Sequence, residues 1–291
     1  MYEILQGAID LHIHAGPSVA RREVDAGDML KEAVQHGYRA FVVKDHYFPT
    51  MMSASLVEKH IENQGVKVYG GICLNNSVGG INLKAVDAAY EMGAKFVCMP
   101  TVSAYHHAYK HQGGHFLGAG KLAVEEKLMT YLDEKENLLP PVKDVLRFVA
   151  ERPELILYTG HGSLREVDAV ISQAVEAGVQ KILVNHPFYL VEASIEDMVR
   201  WSKLGAYIEI NAVVFRPSKP DRVHMETAQK ILENVSLDKI ILDSDYGQKG
   251  NGSPADGLYQ YIQRLIKELG VSEQQINVLL KQNPAKLLGL E

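Results

Sequence analysis

A short apolar run, then an amphipathic stretch, often closed by a glycine, recurs along nearly all of this 291-residue chain. The apolar runs lie within Gly7–Gly16, Arg39–His46, Val66–Leu74, Lys95–Pro100, Leu155–His161, Lys181–His186, Ala206–Asn211 and Lys239–Asp245. They are apolar almost throughout, as strands of a parallel sheet covered on both faces must be. Between them, Val24–Gly37, Met51–Gln64, Ile81–Met92, Val142–Ala150, Leu164–Ala177, Ile195–Leu204, Arg222–Asn234 and Pro254–Leu269 carry apolar residues at helical spacing. Roughly eight such units predict an α/β fold, a (β/α)8 TIM barrel, with a doubly wound open sheet as the second choice. No linker interrupts the pattern, so residues 1–291 are expected to form a single barrel domain. The rhythm breaks only after the fourth strand, where about 102–141 reads as an insertion or lid.

The totals exclude several classes. The formal net charge is −6 and no basic run of five or more occurs, so no nucleic-acid footprint is expected. No apolar run approaches the roughly 20 residues that span a bilayer, and the N-terminus lacks a basic region followed by an apolar one. Two cysteines, Cys73 and Cys98, make no disulfide framework and read as buried thiols, which points to the cytoplasm.

In a parallel barrel, reacting side chains come from the C-terminal ends of the strands. In GAIDLHIHAG, strict alternation puts Ile9, Leu11 and Ile13 on one face and Asp10, His12 and His14 on the other. The two histidines are then about 7 Å apart along the strand, within reach of one metal ion. The second strand ends in Lys44, Asp45 and His46, with Lys44 and His46 sharing a face. The fifth ends in His161, the sixth in Asn185 and His186, and the eighth in Asp243 and Asp245. Any one of these could be a lone polar cap. Several histidines and an aspartate in a geometry that makes strand ends converge predict a divalent metal, Zn with Mn or Fe as alternatives.

These motifs, DLHIH, TGH, NHP and DSDYG, resemble those of the amidohydrolase superfamily of metal-dependent hydrolases, and the closing NPAKLLGL resembles the end of many of its barrels. There Asn283 is expected to cap the last helix with Pro284 at its first turn. GGIN (Gly79–Asn82) and MPT (Met99–Thr101) resemble an uncharacterised subgroup. The resemblance implies His12, His14 and His161 as metal ligands. It implies His186 as a ligand of a second metal or a contact to substrate or water. It makes Asp245 both ligand and proton acceptor, with Asp243 the alternative. The fourth strand, KFVCMPT, lacks the bridging lysine or glutamate common in binuclear members. KDH on the second strand instead resembles the TDH of polymerase-and-histidinol-phosphatase phosphoesterases. His46 is therefore a further candidate ligand. Lys44 is either a carboxylated bridge between two ions, an ammonium paired with Asp243 or an anionic substrate, or a side chain bent away.

His106, His107, His111 and His115 alternate with Tyr105 and Tyr109 in the insertion and could supply a lid or a ligand. His107 and Arg216 are the candidate substrate-binding residues. The implied function is water attack on an amide, ester or lactone using one or two ions. The alternatives are phosphoester hydrolysis, non-oxidative decarboxylation, and a metal-containing binding protein without turnover. The expected partner is a small-molecule substrate, anionic if Lys44 binds it; the sequence leaves a homo-oligomer open.

Overall fold

The structure, a computed structural model, describes residues 2–112, 119–217 and 223–290. Its strands are β1 (Ile9–Ile13), β2 (Ala40–Val43), β3 (Lys67–Tyr69), β4 (Gly71–Cys73), β5 (Phe96–Cys98), β6 (Ile156–Tyr158), β7 (Ile182–Val184), β8 (Tyr207–Asn211) and β9 (Ile240–Asp243). All pair in parallel, β1 to β3 in one run and β4 to β9 in another. The expected third strand is thus two halves broken at Gly70, the first pairing with β2 and the second with β5. A Cβ at Gly70 would lie 2.5 Å from the backbone of Thr50 and Met51, so only glycine lets the chain pass there. The circle closes between β9 and β1. Ile13 bridges Tyr246, the Asp245 N–H donates to His12 O at 2.8 Å, and the His14 N–H donates to Tyr246 O at 2.8 Å. The result is the expected (β/α)8 barrel.

The helices of the eight units are α1 (Ala26–His36), α2 (Met51–His60), α3 (Leu83–Glu91), α5 (Pro140–Ala150), α6 (Leu164–Ala177), α7 (Ile195–Lys203), α8 (Met225–Asn234) and α9 (Pro254–Leu269). A short α4 (Tyr105–Lys110) lies in the insertion, and the chain finishes with α10 (Glu273–Asn277) and α11 (Asn283–Leu288). Their starts follow from the sequence. The Asp25 side chain accepts from Asp28 N to cap α1, and Ser163 and Ser194 form capping boxes on α6 and α7. The charged stretch Lys121–Glu136 forms no helix. His115 and Arg222 lie outside the described residues.

Two apolar layers result. Ile9, Leu11, Ala40, Val42, Phe96, Ile156, Tyr158, Leu183 and Ile241 fill the barrel, with Leu287 and Leu288 of α11 packed into the same layer. Ile13, Phe41, Val43, Val97, Leu157, Val184 and Leu242 pack outward with the helices. The expected alternation on β1 therefore fails, since Ile13 leaves the face of Ile9 and Leu11. The cause is a register shift: three steps from Asp10 to Ile13 are matched by two from Phe41 to Val43. One extra residue re-aims the strand beyond it, the usual effect of a bulge. The expected cap at Asn283 is also corrected. The helix runs in from residues 278–282, so there is no free first turn to cap. The buried Asn283 amide instead donates to Leu237 O and Ile240 O, both at 2.8 Å, tying α11 to the start of β9.

Candidate metal centre

The strand ends meet at the mouth of the barrel. His12, His14, Lys44, His46, His161, His186 and Asp245 are all buried there. Ring centroids are 5.1 Å apart for His12 and His14, 4.8 Å for His14 and His46, 5.8 Å for His46 and His161, 5.1 Å for His161 and His186, and 5.2 Å for His186 and His12. The five imidazoles thus form a closed ring. Asp245 enters from one side, its Oδ1 3.1 Å from His14 Nε2 and 3.4 Å from His12 Nε2. His186 and Asp245 both hold positive φ, 47° and 51°, uncommon for non-glycine residues. Such backbone costs on the order of 1–3 kcal/mol each and survives where the surroundings dictate it, typically at functional sites.

The residue that organises the ring from below is Glu209, on β8. It is fully buried. Its Oε1 lies 2.8 Å from His12 Nδ1 and accepts from Asn185 Nδ2 at 3.1 Å, while Oε2 accepts the His186 N–H at 3.1 Å. Burial alone would raise its pKa, but the fields of His12, His186 and Lys44 override that and hold it well below the usual carboxylate range. An ionised carboxylate only accepts, so His12 carries its proton on Nδ1. Its Nε2 is then a bare lone pair, on which Lys44 Nζ donates at 3.1 Å. His186 is set in the same way. Asn211 Nδ2 donates to Asp243 Oδ1 at 2.7 Å, so Asn211 turns Oδ1 to His186 Nδ1 at 2.8 Å. That leaves His186 Nε2 as a second lone pair.

The remaining candidates take distinct places. His46 Nδ1 lies 2.8 Å from Thr101 Oγ1, which accepts from Asn75 Nδ2 at 2.7 Å. His107, on α4, is buried with its Nδ1 2.9 Å from His161 Nδ1 and the rings stacked at 4.9 Å. His106 Nε2 reaches Leu190 O instead, and His111 Nδ1 bonds back to His107 O. Arg216 donates to Asn251 O at 3.2 Å and lines a cleft with Phe215, Tyr246 and Arg264, apart from the ring. Asp243 faces Asn211; burial, Glu209 and Asp10 push its carboxyl well above the usual range. Cys73 and Cys98 are free, buried and directly paired between β4 and β5.

Electrostatically the ring suits a cation. Burial lowers His14 to about 3, and His46, His161 and His186 below their ordinary value, so neutral imidazoles face inward. Burial works to raise Asp245, but His12, His14 and His186 hold it far below the usual range. Two groups bring three donor atoms within 4.8 Å of one another: His12, His14 and Asp245, and His12, His186 and Glu209. The second is committed to the 2.8 Å hydrogen bond between His12 and Glu209, which leaves no room for an ion between them. The first fits. Ligands at about 2.0–2.2 Å in a tetrahedral shell lie roughly 3.3–3.6 Å apart, close to the 3.1 and 3.4 Å found here. His161 Nε2 is moreover buried without a hydrogen-bond partner.

Sequence reasoning missed Glu209, Asn211, Asn75 and Thr101 as parts of this site. The signal for Glu209 was present, since YIEIN carries one acid inside an otherwise buried apolar strand.

Residues 7–209 match the model of a family of unknown function, DUF6282, and the chain belongs to that family. No curated protein matches it. Among solved structures, it resembles an amidohydrolase from Pseudomonas aeruginosa with TM-score 0.63 and 9% identity, over 98% of this chain and 96% of that one. It also resembles a phosphotriesterase homology protein from Escherichia coli, with TM-score 0.59 and 14% identity over 97% and 98% of the two chains. A lactonase from Listeria monocytogenes gives TM-score 0.57 and 12% identity over 99% and 96%. These neighbours are members of the amidohydrolase superfamily, so the resemblance drawn from DLHIH, TGH, NHP and DSDYG holds at the level of the fold. Among the described residues, no helix is long and apolar enough to cross a membrane.

Proposed function

We propose that this chain is a metal-dependent hydrolase whose site is held by His12, His14 and Asp245. The observation that carries the reading is the pair of contacts from one Asp245 oxygen to His14 Nε2 and His12 Nε2, 3.1 and 3.4 Å, with Glu209 fixing the His12 tautomer. A carboxylate behind a ligating histidine holds its ring and raises its basicity. His161 and His186 complete the ring and are candidates for further coordination or for contact with the substrate. Zn fits the nitrogen-rich donor set best, with Mn or Fe as alternatives.

When bound, the ion supplies polarisation of the scissile group and acidification of a water. The chain's own residues do the rest. Asp245 accepts the water's proton on Oδ2, which faces His186 Nδ1 at 4.0 Å. His186, its Nδ1 bonded to Asn211 Oδ1, keeps a bare Nε2 for contact with the substrate or a water. Lys44, whose pKa is held above the ordinary lysine value because Cys98, Cys73, Glu209 and Asp245 outweigh its burial, stays an ammonium and stabilises developing negative charge. The bond broken is an amide, ester or lactone. A phosphoester is the second reading, favoured by the Lys44 ammonium lying 3.1 Å from His12 Nε2.

The test is to strip the protein with chelator, restore Zn, Mn or Fe singly, and assay a panel of lactones, esters, amides and phosphoesters. Turnover should return only with metal. Equal turnover in stripped protein would remove the metal from the chemistry, and none on the whole panel with metal bound would leave a binding protein instead.

A further inference from the structure

Arg22 lies in the loop after β1, and neither the ring nor the packing of the barrel accounts for it. Its side chain is 3% exposed. Its backbone bridges Gln248, the residue whose Nε2 donates to Asp245 Oδ1 at 3.1 Å. Its Nη2 donates to Asp45 Oδ2 at 2.9 Å, next in sequence to His46. Asp45 is itself fixed, since its Oδ1 accepts the N–H groups of Tyr47 and Phe48 at 2.8 and 3.2 Å. The guanidinium is therefore anchored at one corner, between the C-terminal ends of β2 and β9.

The rest of that guanidinium is unused. Nε and Nη1 are both buried and have no hydrogen-bond partner. Of the five N–H donors, the one on Nε and the two on Nη1 find no acceptor. Buried donors are nearly always satisfied, and an exception marks an absent water, ion or ligand.

We infer that Arg22 anchors an oxyanion group of the substrate, a carboxylate or a phosphate, placed at the barrel mouth between Asp45 and Gln248. This deepens the hydrolase reading and rests on it for the reaction, naming the substrates as acids. Nε and Nη1 lie on different edges of the guanidinium, and the second N–H of Nη2 completes a two-donor edge with either, which matches the paired oxygens of either group; Asp45 pre-orders it as a lone surface arginine would not be. Arg216, the arginine expected from the sequence to do this, gives Nη1 to Gly250 O and Asn251 O at 3.4 and 3.2 Å and has only its Nε buried without a partner.

The experiment is calorimetric titration of malonate and, separately, inorganic phosphate into the full chain, with and without added zinc. Wild type is compared with Arg22→Gln and Arg22→Lys, and zinc content and thermal unfolding are followed in parallel. At least one anion should bind wild type, about tenfold or more weaker in Arg22→Gln and measurably weaker in Arg22→Lys, with zinc content unchanged. The anion that depends on Arg22 identifies the group. Should Arg22→Gln fail to fold, Arg22→Lys, which keeps a charge opposite Asp45, decides. Equal binding in all three proteins, or none to wild type at millimolar anion, overturns the inference and leaves water as the partner of Nε and Nη1. Arg22-dependent binding in a protein that takes up no zinc would uphold the anion site while sinking the metal reading.

Discussion

Glu209 Oε1 lies 2.8 Å from His12 Nδ1, and this buried contact, joining β8 to β1 across the barrel, decides which nitrogen of His12 faces the mouth. Glu209→Gln keeps the shape but removes the charge that fixes the tautomer. Zinc affinity should fall about 10–100-fold, the usual cost of losing such a partner, while the far-ultraviolet circular dichroism stays that of wild type. Competition against a chromophoric chelator measures it, and unchanged affinity would show that Glu209 does not orient His12.

Asp245→Asn should separate binding from chemistry. It retains an oxygen ligand but no proton acceptor. Zinc content should be retained or modestly reduced, with a rate loss of about 10² or more, the scale for a positioned base. Near-native rates on whichever panel substrate turns over would remove Asp245 from that role.

Lys44 is the residue on which this barrel departs from the commoner binuclear arrangement. Its Nζ sits on His12 Nε2, and against its burial Cys98, Cys73, Glu209 and Asp245 hold its pKa above the ordinary lysine value. That favours the ammonium over a carbamate. Lys44→Ala should therefore leave zinc per chain unchanged and weaken acidic substrates about tenfold or more in KM, the scale for a lost charge-assisted contact. A fall by one ion, partly restored by added short-chain carboxylic acids, would instead identify a carboxylated bridge.

The metal-free protein should lose stability on acidification from about pH 6.5. Burial holds His14 and His107 at about 3 and puts His46, His161 and His186 below the ordinary histidine value. Between those values and about 6.5 the unfolded chain binds more protons than the folded one, so stability rises with pH through this window. The slope is up to about 1.4 kcal/mol per pH unit for each histidine. Asp10, raised to about 6 by burial, and Asp243, raised further, work in the opposite sense above pH 3.8, but they are outnumbered. Urea midpoints should drop from pH 7.5 to 5.5; a flat or rising trend would mean the histidines are not buried neutral.

Most of the fold was legible because a parallel barrel writes the same βα unit repeatedly and buries every strand. The strand ends that gather the histidines were legible for a related reason, since convergence at one mouth turns separate histidines into a set. Three things were not. The bulge in β1 is a matter of register with β2, and no local pattern announces that His12 follows Leu11 onto the inner face. Glu209 sits two residues before the end of β8, so attention to terminal residues alone passed it by. Arg22 stands in a loop, and only the ion pair with Asp45 and the bridge to Gln248 show where it points.

The central claim is that His12, His14 and Asp245 hold a metal ion, and elemental analysis of protein purified without chelator tests it most directly. Wild type should carry at least one Zn, Mn or Fe per chain. His12→Ala and His14→Ala should lose it while remaining folded, because the barrel rests on its apolar layers. His161→Ala should lose it too if His161 Nε2, buried and without a partner, completes the shell. Wild type that neither retains metal nor takes up added zinc, or His12→Ala and His14→Ala proteins with full metal content, would contradict the account.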